Sequence, residues 1–215
     1  MIKCVVFDLD GTLVNSHETI YKSTIKTLEH LNLETNLDKE QFYNLLGHHF
    51  ADIFDACKIE VPDVEHFINV YKGIYFDFID DSELYDNSIE LLKYLKDKNI
   101  KTGLLTTKGQ DQAVKISRHF GIERYLDVIE GRKNGIAIKP APDQLIKICK
   151  EVNVEPKNTL MIGDTELDIM CGKNAGAKTC AVSYGYRNIE ELKRYEPDYL
   201  IDDLKEVLNI IGFTL

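Results

Sequence analysis

The chain has 215 residues, 44% of them apolar, and a formal charge of −10. That length holds one large domain or a domain carrying an insertion, with ample material for a buried core. The acidic balance, with a pI near 5.1, provides no basic footprint for a nucleic acid polymer or an anionic membrane, and no apolar run is long enough for a membrane span.

Met1 leads directly into an apolar run with no basic segment before it, so no secretory signal is expected. Cys4, Cys57, Cys149, Cys171 and Cys180 are odd in number and well separated, with no Cys-x-x-Cys pair. They read as small core residues in a reducing compartment, and the expected location is the cytoplasm.

The run Ile2 to Phe7 predicts a buried parallel strand that ends at Asp8-Leu9-Asp10-Gly11-Thr12. Residues two apart on an extended chain point the same way, so Asp8 and Asp10 share one crevice while Leu9 turns aside. Gly11 lets the chain turn, and Thr12 brings a hydroxyl and an N–H close by. Two carboxylates so placed are costly for structure alone.

Residues 16–82 carry helical periodicities and no convincing strand. Tyr21, Ile25, Leu28 and Leu31 mark one helix, Phe42, Leu45 and Leu46 a second, and Ile53, Phe54 and Cys57 a third. Pro62-Asp63 opens a fourth, running to Phe78. This stretch is acidic, has no Arg, and holds five of the six histidines: His17, His30, His48, His49 and His66. It reads as a helical cap inserted into a core made of residues 1–15 and 83–215.

From Tyr85 the chain alternates helix and strand. A helix capped by Asp86 or Asn87 ends near Asn99, and a strand follows over 100–105. The next helix stops at Gly121, a strand is expected over 126–129, and Pro142 opens another helix. A strand over 159–162, a helix over 165–174, strands over 177–182 and 199–201, and a C-terminal helix complete the pattern. The fold class is α/β: a doubly wound, Rossmann-like parallel sheet with a helical cap.

Ligands of such sheets bind beyond the carboxyl ends of the strands. In chain order those ends carry Asp8 and Asp10; Thr106-Thr107-Lys108-Gly109; Lys139-Pro140-Ala141-Pro142-Asp143; and Gly163-Asp164-Thr165-Glu166-Leu167-Asp168. Four such sites in this order resemble the motifs of the haloacid dehalogenase superfamily. The cap after the first motif, Lys-Pro-x-Pro-Asp and Gly-Asp-x-x-x-Asp are similar to its phosphoglycolate phosphatase branch.

The residues support the same chemistry on their own. With Asp8, Asp10, Asp164 and Asp168 roughly 5 Å apart, each charged pair repels by about 3 kcal/mol at an effective dielectric near 20. A bound cation or partial protonation must offset this, and an all-oxygen acidic site suits Mg²⁺.

The resemblance implies roles. Asp8 is expected to be the nucleophile that forms an aspartyl-phosphate, and a metal ligand through its other oxygen. Asp10 is expected to protonate the leaving alcohol, to activate water, and to bind the metal through its backbone carbonyl. Thr106 and Lys139 are expected to hold the phosphoryl oxygens. Asp164 is expected to ligate Mg²⁺, with Asp168 supporting it directly or through water. Gly11, Thr12, Thr107 and Lys108 are candidate substrate contacts, although Thr107 stands where the branch often has Asn. His48 and His49, in a loop of the cap, are further candidates, with a helix junction as the alternative reading.

Asp10 favours phosphoryl transfer over dehalogenation, which needs no alcohol protonation. A mutase related to β-phosphoglucomutase typically grips its sugar phosphate with a His and an Arg that the stretch 15–22 does not reproduce. The expected activity is therefore Mg²⁺-dependent hydrolysis of a small phosphomonoester resembling phosphoglycolate. Inorganic pyrophosphate, a mutase, and a non-catalytic binding module are the alternatives. The expected partner is a small phosphorylated metabolite, and monomer and dimer are both compatible with the chain. The two crossings into the cap are expected to hinge.

Overall fold

The computed structural model describes residues 1–212. They divide into two compact units, one of Met1–Leu13 with residues 84–212 and the other Val14–Glu83. The chain opens with β1 (Cys4–Phe7), all four residues of which are buried. A two-residue strand, β2 (Val14–Asn15), pairs with β3 (Glu83–Leu84) where the chain leaves and re-enters the first unit.

Between these short strands lie α1 (His17–His30), α2 (Lys39–Asn44), α3 (Phe50–Cys57) and α4 (Val64–Ile74). The Asp38 carboxylate accepts from Gln41 N–H at 2.7 Å and Asp63 from His66 N–H at 2.8 Å, fixing the starts of α2 and α4. Phe54, Phe67, Tyr71 and Tyr75 fill the interior, with Phe54 and Phe67 edge to face at 4.8 Å. The fourth helix is shorter than its periodicity predicts: it ends at Ile74 and tightens into a 3₁₀ segment over Tyr75–Asp81.

The rest of the first unit contributes α5 (Ser88–Asp97), β4 (Lys101–Gly109), α6 (Gln110–His119), β5 (Val128–Arg132) and α7 (Asp143–Glu151). It continues with β6 (Thr159–Gly163), α8 (Glu166–Ala175), β7 (Lys178–Val182), α9 (Ile189–Arg194), β8 (Tyr199–Ile201) and α10 (Val207–Ile210). Six strands form one parallel sheet in the order β5-β4-β1-β6-β7-β8, flanked by helices. The order reverses at β1, between β4 and β6, which opens a crevice at their carboxyl ends.

Two expectations shift. The strand placed over 126–129 runs instead over Val128–Arg132, because Glu123–Tyr125 makes a 3₁₀ turn and Asp127 turns its carboxylate to Thr102 N–H at 2.8 Å. Polar Glu130 hides the strand in the sequence, yet it is buried and held by Lys133 and Lys147. The strand expected to stop at Leu105 continues to Gly109 through a register shift that re-aims the residues between. Six-residue α9 is too short to register as a periodicity. Cys4, Cys149, Cys171 and Cys180 are buried and Cys57 half-buried, all as free thiols. Among the described residues no helix is long and apolar enough to cross a membrane.

Candidate active site

β1 ends at Phe7, and the buried Asp8 continues the ladder by donating its N–H to Ile162 O on β6 at 2.9 Å. This bond locks the first acid beside the strand that delivers Asp164. Gly11 has φ of +81°, a conformation open to glycine, and a Cβ there would lie 2.2 Å from Asp164 Oδ2. The loop after β1 can therefore approach Asp164 only without a side chain at position 11.

Asp8, Asp164 and Asp168 are all buried, and each places a carboxylate oxygen within 4.8 Å of the others. Lys139 enters this group from the segment before α7. Its ammonium lies 2.9 Å from Asp8 Oδ1 and 2.6 Å from Asp168 Oδ1. Burial lifts the Asp8 carboxyl to about 7; Lys139 pulls against that, while Asp168 and Asp10 add to it. Asp164 is likewise raised by burial and by Asp168 and Asp8. Burial works against the charge on Lys139, but Asp168 and Asp8 outweigh it and raise its pKa above the ordinary lysine value. One ammonium facing three buried carboxylates leaves negative charge uncompensated. An all-oxygen donor set of that charge fits a hard divalent cation such as Mg²⁺.

The four strand-end motifs thus fall within one unit, and their side chains divide the work unequally. Asp10 turns its carboxylate to Lys108, with Nζ 3.0 Å from Oδ2, and lies outside the trio of converging acids. Thr106 is buried and its Oγ1 accepts from Lys108 N–H at 3.2 Å, bracing the bulged end of β4. Thr107 is half-buried. Thr12, a candidate substrate contact, donates its hydroxyl to Asp164 Oδ1 at 3.1 Å. Asp168 has both oxygens engaged: Oδ1 with Lys139, and Oδ2 with the N–H and hydroxyl of Thr165 in the capping box of α8.

The two cap histidines lie in the other unit. His49 is the N-cap of α3: Nδ1 accepts from Ala51 N–H at 3.2 Å, and Nε2 lies 3.9 Å from Glu65. That is the helix-junction arrangement. His48, half-buried, precedes it in the turn after Gly47.

One element escaped the sequence reading. The loop after β7, Ser183 to Arg187, reaches the acids: Tyr186 N–H donates to Asp164 Oδ2 at 2.8 Å, and Tyr184 OH donates to Thr12 O at 2.9 Å. Arg187 grips Glu166 through two nitrogens. The signal was available, since Ser-Tyr-Gly-Tyr-Arg follows an expected strand at a fifth carboxyl end.

Residues 5–182 match the family model described as Haloacid dehalogenase-like hydrolase. Pyrophosphatase PpaX of Bacillus cereus is 34% identical over 213 residues, covering 98% of this chain and 97% of that protein. A Clostridium perfringens protein sharing the PpaX name is 37% identical over 216 residues, 98% of each chain. Among solved structures, a predicted phosphoglycolate phosphatase from Haemophilus somnus 129PT superposes with a TM-score of 0.86 at 26% identity, covering 97% of both chains. A predicted phosphatase from Clostridium acetobutylicum gives 0.82 at 26% identity over 98% of both.

Proposed function

The chain belongs to the haloacid dehalogenase-like hydrolase family, and from that premise we propose that it is a Mg²⁺-dependent phosphatase acting through an aspartyl-phosphate on Asp8. The observation that carries this reading is Lys139, held between Asp8 and Asp168 beside the buried Asp164.

In this reading Asp8 Oδ2 attacks the phosphorus in line with the leaving oxygen, while Lys139, pinned on Oδ1, faces the developing charge. Asp10 donates a proton to the leaving group and then takes one from the water that cleaves the acyl phosphate. The Thr106 hydroxyl and the backbone of Gly11 and Thr12 orient the phosphoryl oxygens. Asp8, the Asp10 carbonyl and Asp164 would hold Mg²⁺, which supplies charge neutralisation when bound. Asp168 orients Lys139 and completes the acidic group. Splitting one slow displacement into two assisted ones is the gain.

The substrate we favour is inorganic pyrophosphate. Relatives with 33–34% identity over nearly the whole chain are named Pyrophosphatase PpaX. Lys108, 3.0 Å from Asp10, supports this reading, since a cation beside the proposed proton donor suits an anionic leaving group. A second reading, a small phosphomonoester such as phosphoglycolate, is supported by the name of the Haemophilus somnus neighbour. Phosphate release from pyrophosphate, phosphoglycolate and p-nitrophenyl phosphate, each with and without Mg²⁺, tests both. No release from any of them would refute the phosphatase reading, and release independent of divalent cations would refute the Mg²⁺ assignment.

A further inference from the structure

The loop over 183–187 touches the acidic site through its backbone and is anchored outside it through a side chain. Tyr186 N–H reaches Asp164 Oδ2 at 2.8 Å. The next residue, Arg187, binds Glu166, two positions after Asp164, with Nε 2.8 Å from Oε2 and Nη2 3.2 Å from Oε1. The ion pair therefore closes over the same two stretches of chain that the Tyr186–Asp164 bond joins. Gly185 makes the approach possible: a Cβ there would lie 2.2 Å from Asp164 Cβ and 2.5 Å from Gly11 O. Tyr184 adds a second tie through Thr12, whose hydroxyl holds the other oxygen of Asp164.

Arg187 is 7% exposed, and its Nη1 is buried with no hydrogen-bond partner among the described residues. A buried donor without an acceptor is unfavourable, and an apolar side chain filling the same space would avoid it. What the guanidinium offers in return is a two-point grip on Glu166 that neither an apolar residue nor a lysine reproduces.

We propose that Arg187 is a positioning residue for Asp164: paired with Glu166, it clamps the 183–187 loop so that Tyr186 N–H fixes the carboxylate in the orientation a cation requires. This rests on the Mg²⁺ reading above only for its consequence, since the clamp itself is a property of the metal-free protein.

The test compares the wild type with Arg187→Lys, Arg187→Met and the double variant Glu166→Gln/Arg187→Met, which leaves no lone buried charge. Two readouts are taken: hydrogen exchange at the Tyr186 amide in metal-free protein, and Mg²⁺ affinity by calorimetry. The clamp predicts that Tyr186 protection collapses in the double variant while β1, β4 and β6 amides stay protected. Mg²⁺ affinity falls roughly tenfold or more, and Arg187→Lys recovers only part of either effect. Wild-type protection at Tyr186 in Arg187→Met and Arg187→Lys would overturn the proposal. A wild-type protein with no Mg²⁺ affinity would instead overturn the cofactor reading, and the exchange result would then decide the clamp alone. If the double variant loses its sheet amides as well, Arg187→Lys carries the decision.

Discussion

Lys139 and Asp168 form the shortest ion pair in the site, at 2.6 Å, and the opposite oxygen of that carboxylate closes the capping box of α8. The start of a helix and the placement of a buried cation are thus set by one side chain. Asp168→Ala should leave Lys139 paired with Asp8 and α8 without its reciprocal cap. Lys139 keeps Asp8 as its counter-charge and the remaining acids repel less, so the lost cap dominates, and urea denaturation of the metal-free protein should register a loss of about 1 kcal/mol. Turnover should fall as well, because Lys139 loses its orientation. A variant with unchanged midpoint and unchanged rate would contradict the arrangement.

Lys139→Met removes the cation that, in the proposed mechanism, faces the phosphoryl group. Loss of one preorganised electrostatic contact of this type costs on the order of 10²–10³ in kcat. The variant should remain folded in Mg²⁺, and steady-state kinetics on whichever substrate the wild type hydrolyses gives the ratio.

On the proposed Mg²⁺ reading, the raised Asp8 carboxyl makes cation binding and stability depend on pH. In the metal-free protein its pKa is about 7, against 3.8 ordinarily. Between those values the folded state holds a proton that the unfolded chain has lost, so this group's contribution to stability declines as pH rises through that window. A cation must displace the proton. Stabilisation by Mg²⁺ should therefore grow from about pH 5.5 to about pH 8, with proton release near pH 6.5. Thermal melts across pH, and calorimetry in buffers of different ionisation enthalpy, measure the two effects. Mg²⁺ stabilisation that is flat across this range would contradict the assignment.

Gly11→Ala strains a backbone at φ +81° and places a methyl group against Asp164. The expected cost is at least about 1 kcal/mol of stability, accompanied by weaker Mg²⁺ binding because the carboxylate must move. Chemical denaturation and calorimetry on the same preparation separate the two effects.

Much of this was legible in the chain because strand ends are marked twice, by an apolar run stopping and by chemistry beginning. Phe7 to Asp8 and Ile162 to Asp164 show both signals, and the structure brings those acids together with Lys139. What the sequence hid were residues whose work is done for other side chains. The Thr12 hydroxyl serves Asp164, Asp168 serves Lys139 and its own helix start, and Glu130 sits in a buried strand only because two lysines neutralise it. No local pattern encodes a partner 152 positions away, as for Thr12 and Asp164. The 183–187 loop is marked by the strand end it leaves, but its contact to Asp164 is not, being made by a backbone N–H that every residue type but proline can offer.

Asp8→Asn separates binding from chemistry. The amide retains an oxygen and nearly the same volume, so the variant should fold and still bind Mg²⁺, yet turn over no substrate. Wild-type turnover by this variant would refute the covalent route.

The most direct measurement is chemical trapping. Wild-type protein mixed with substrate and Mg²⁺ is quenched in acid, reduced with borohydride and digested, and the peptide holding Asp8 is sequenced by mass spectrometry. An acyl phosphate on Asp8 predicts homoserine at position 8, dependent on substrate and absent from Asp8→Asn. Steady turnover with position 8 recovered only as aspartate, or with homoserine at another acid, would contradict it.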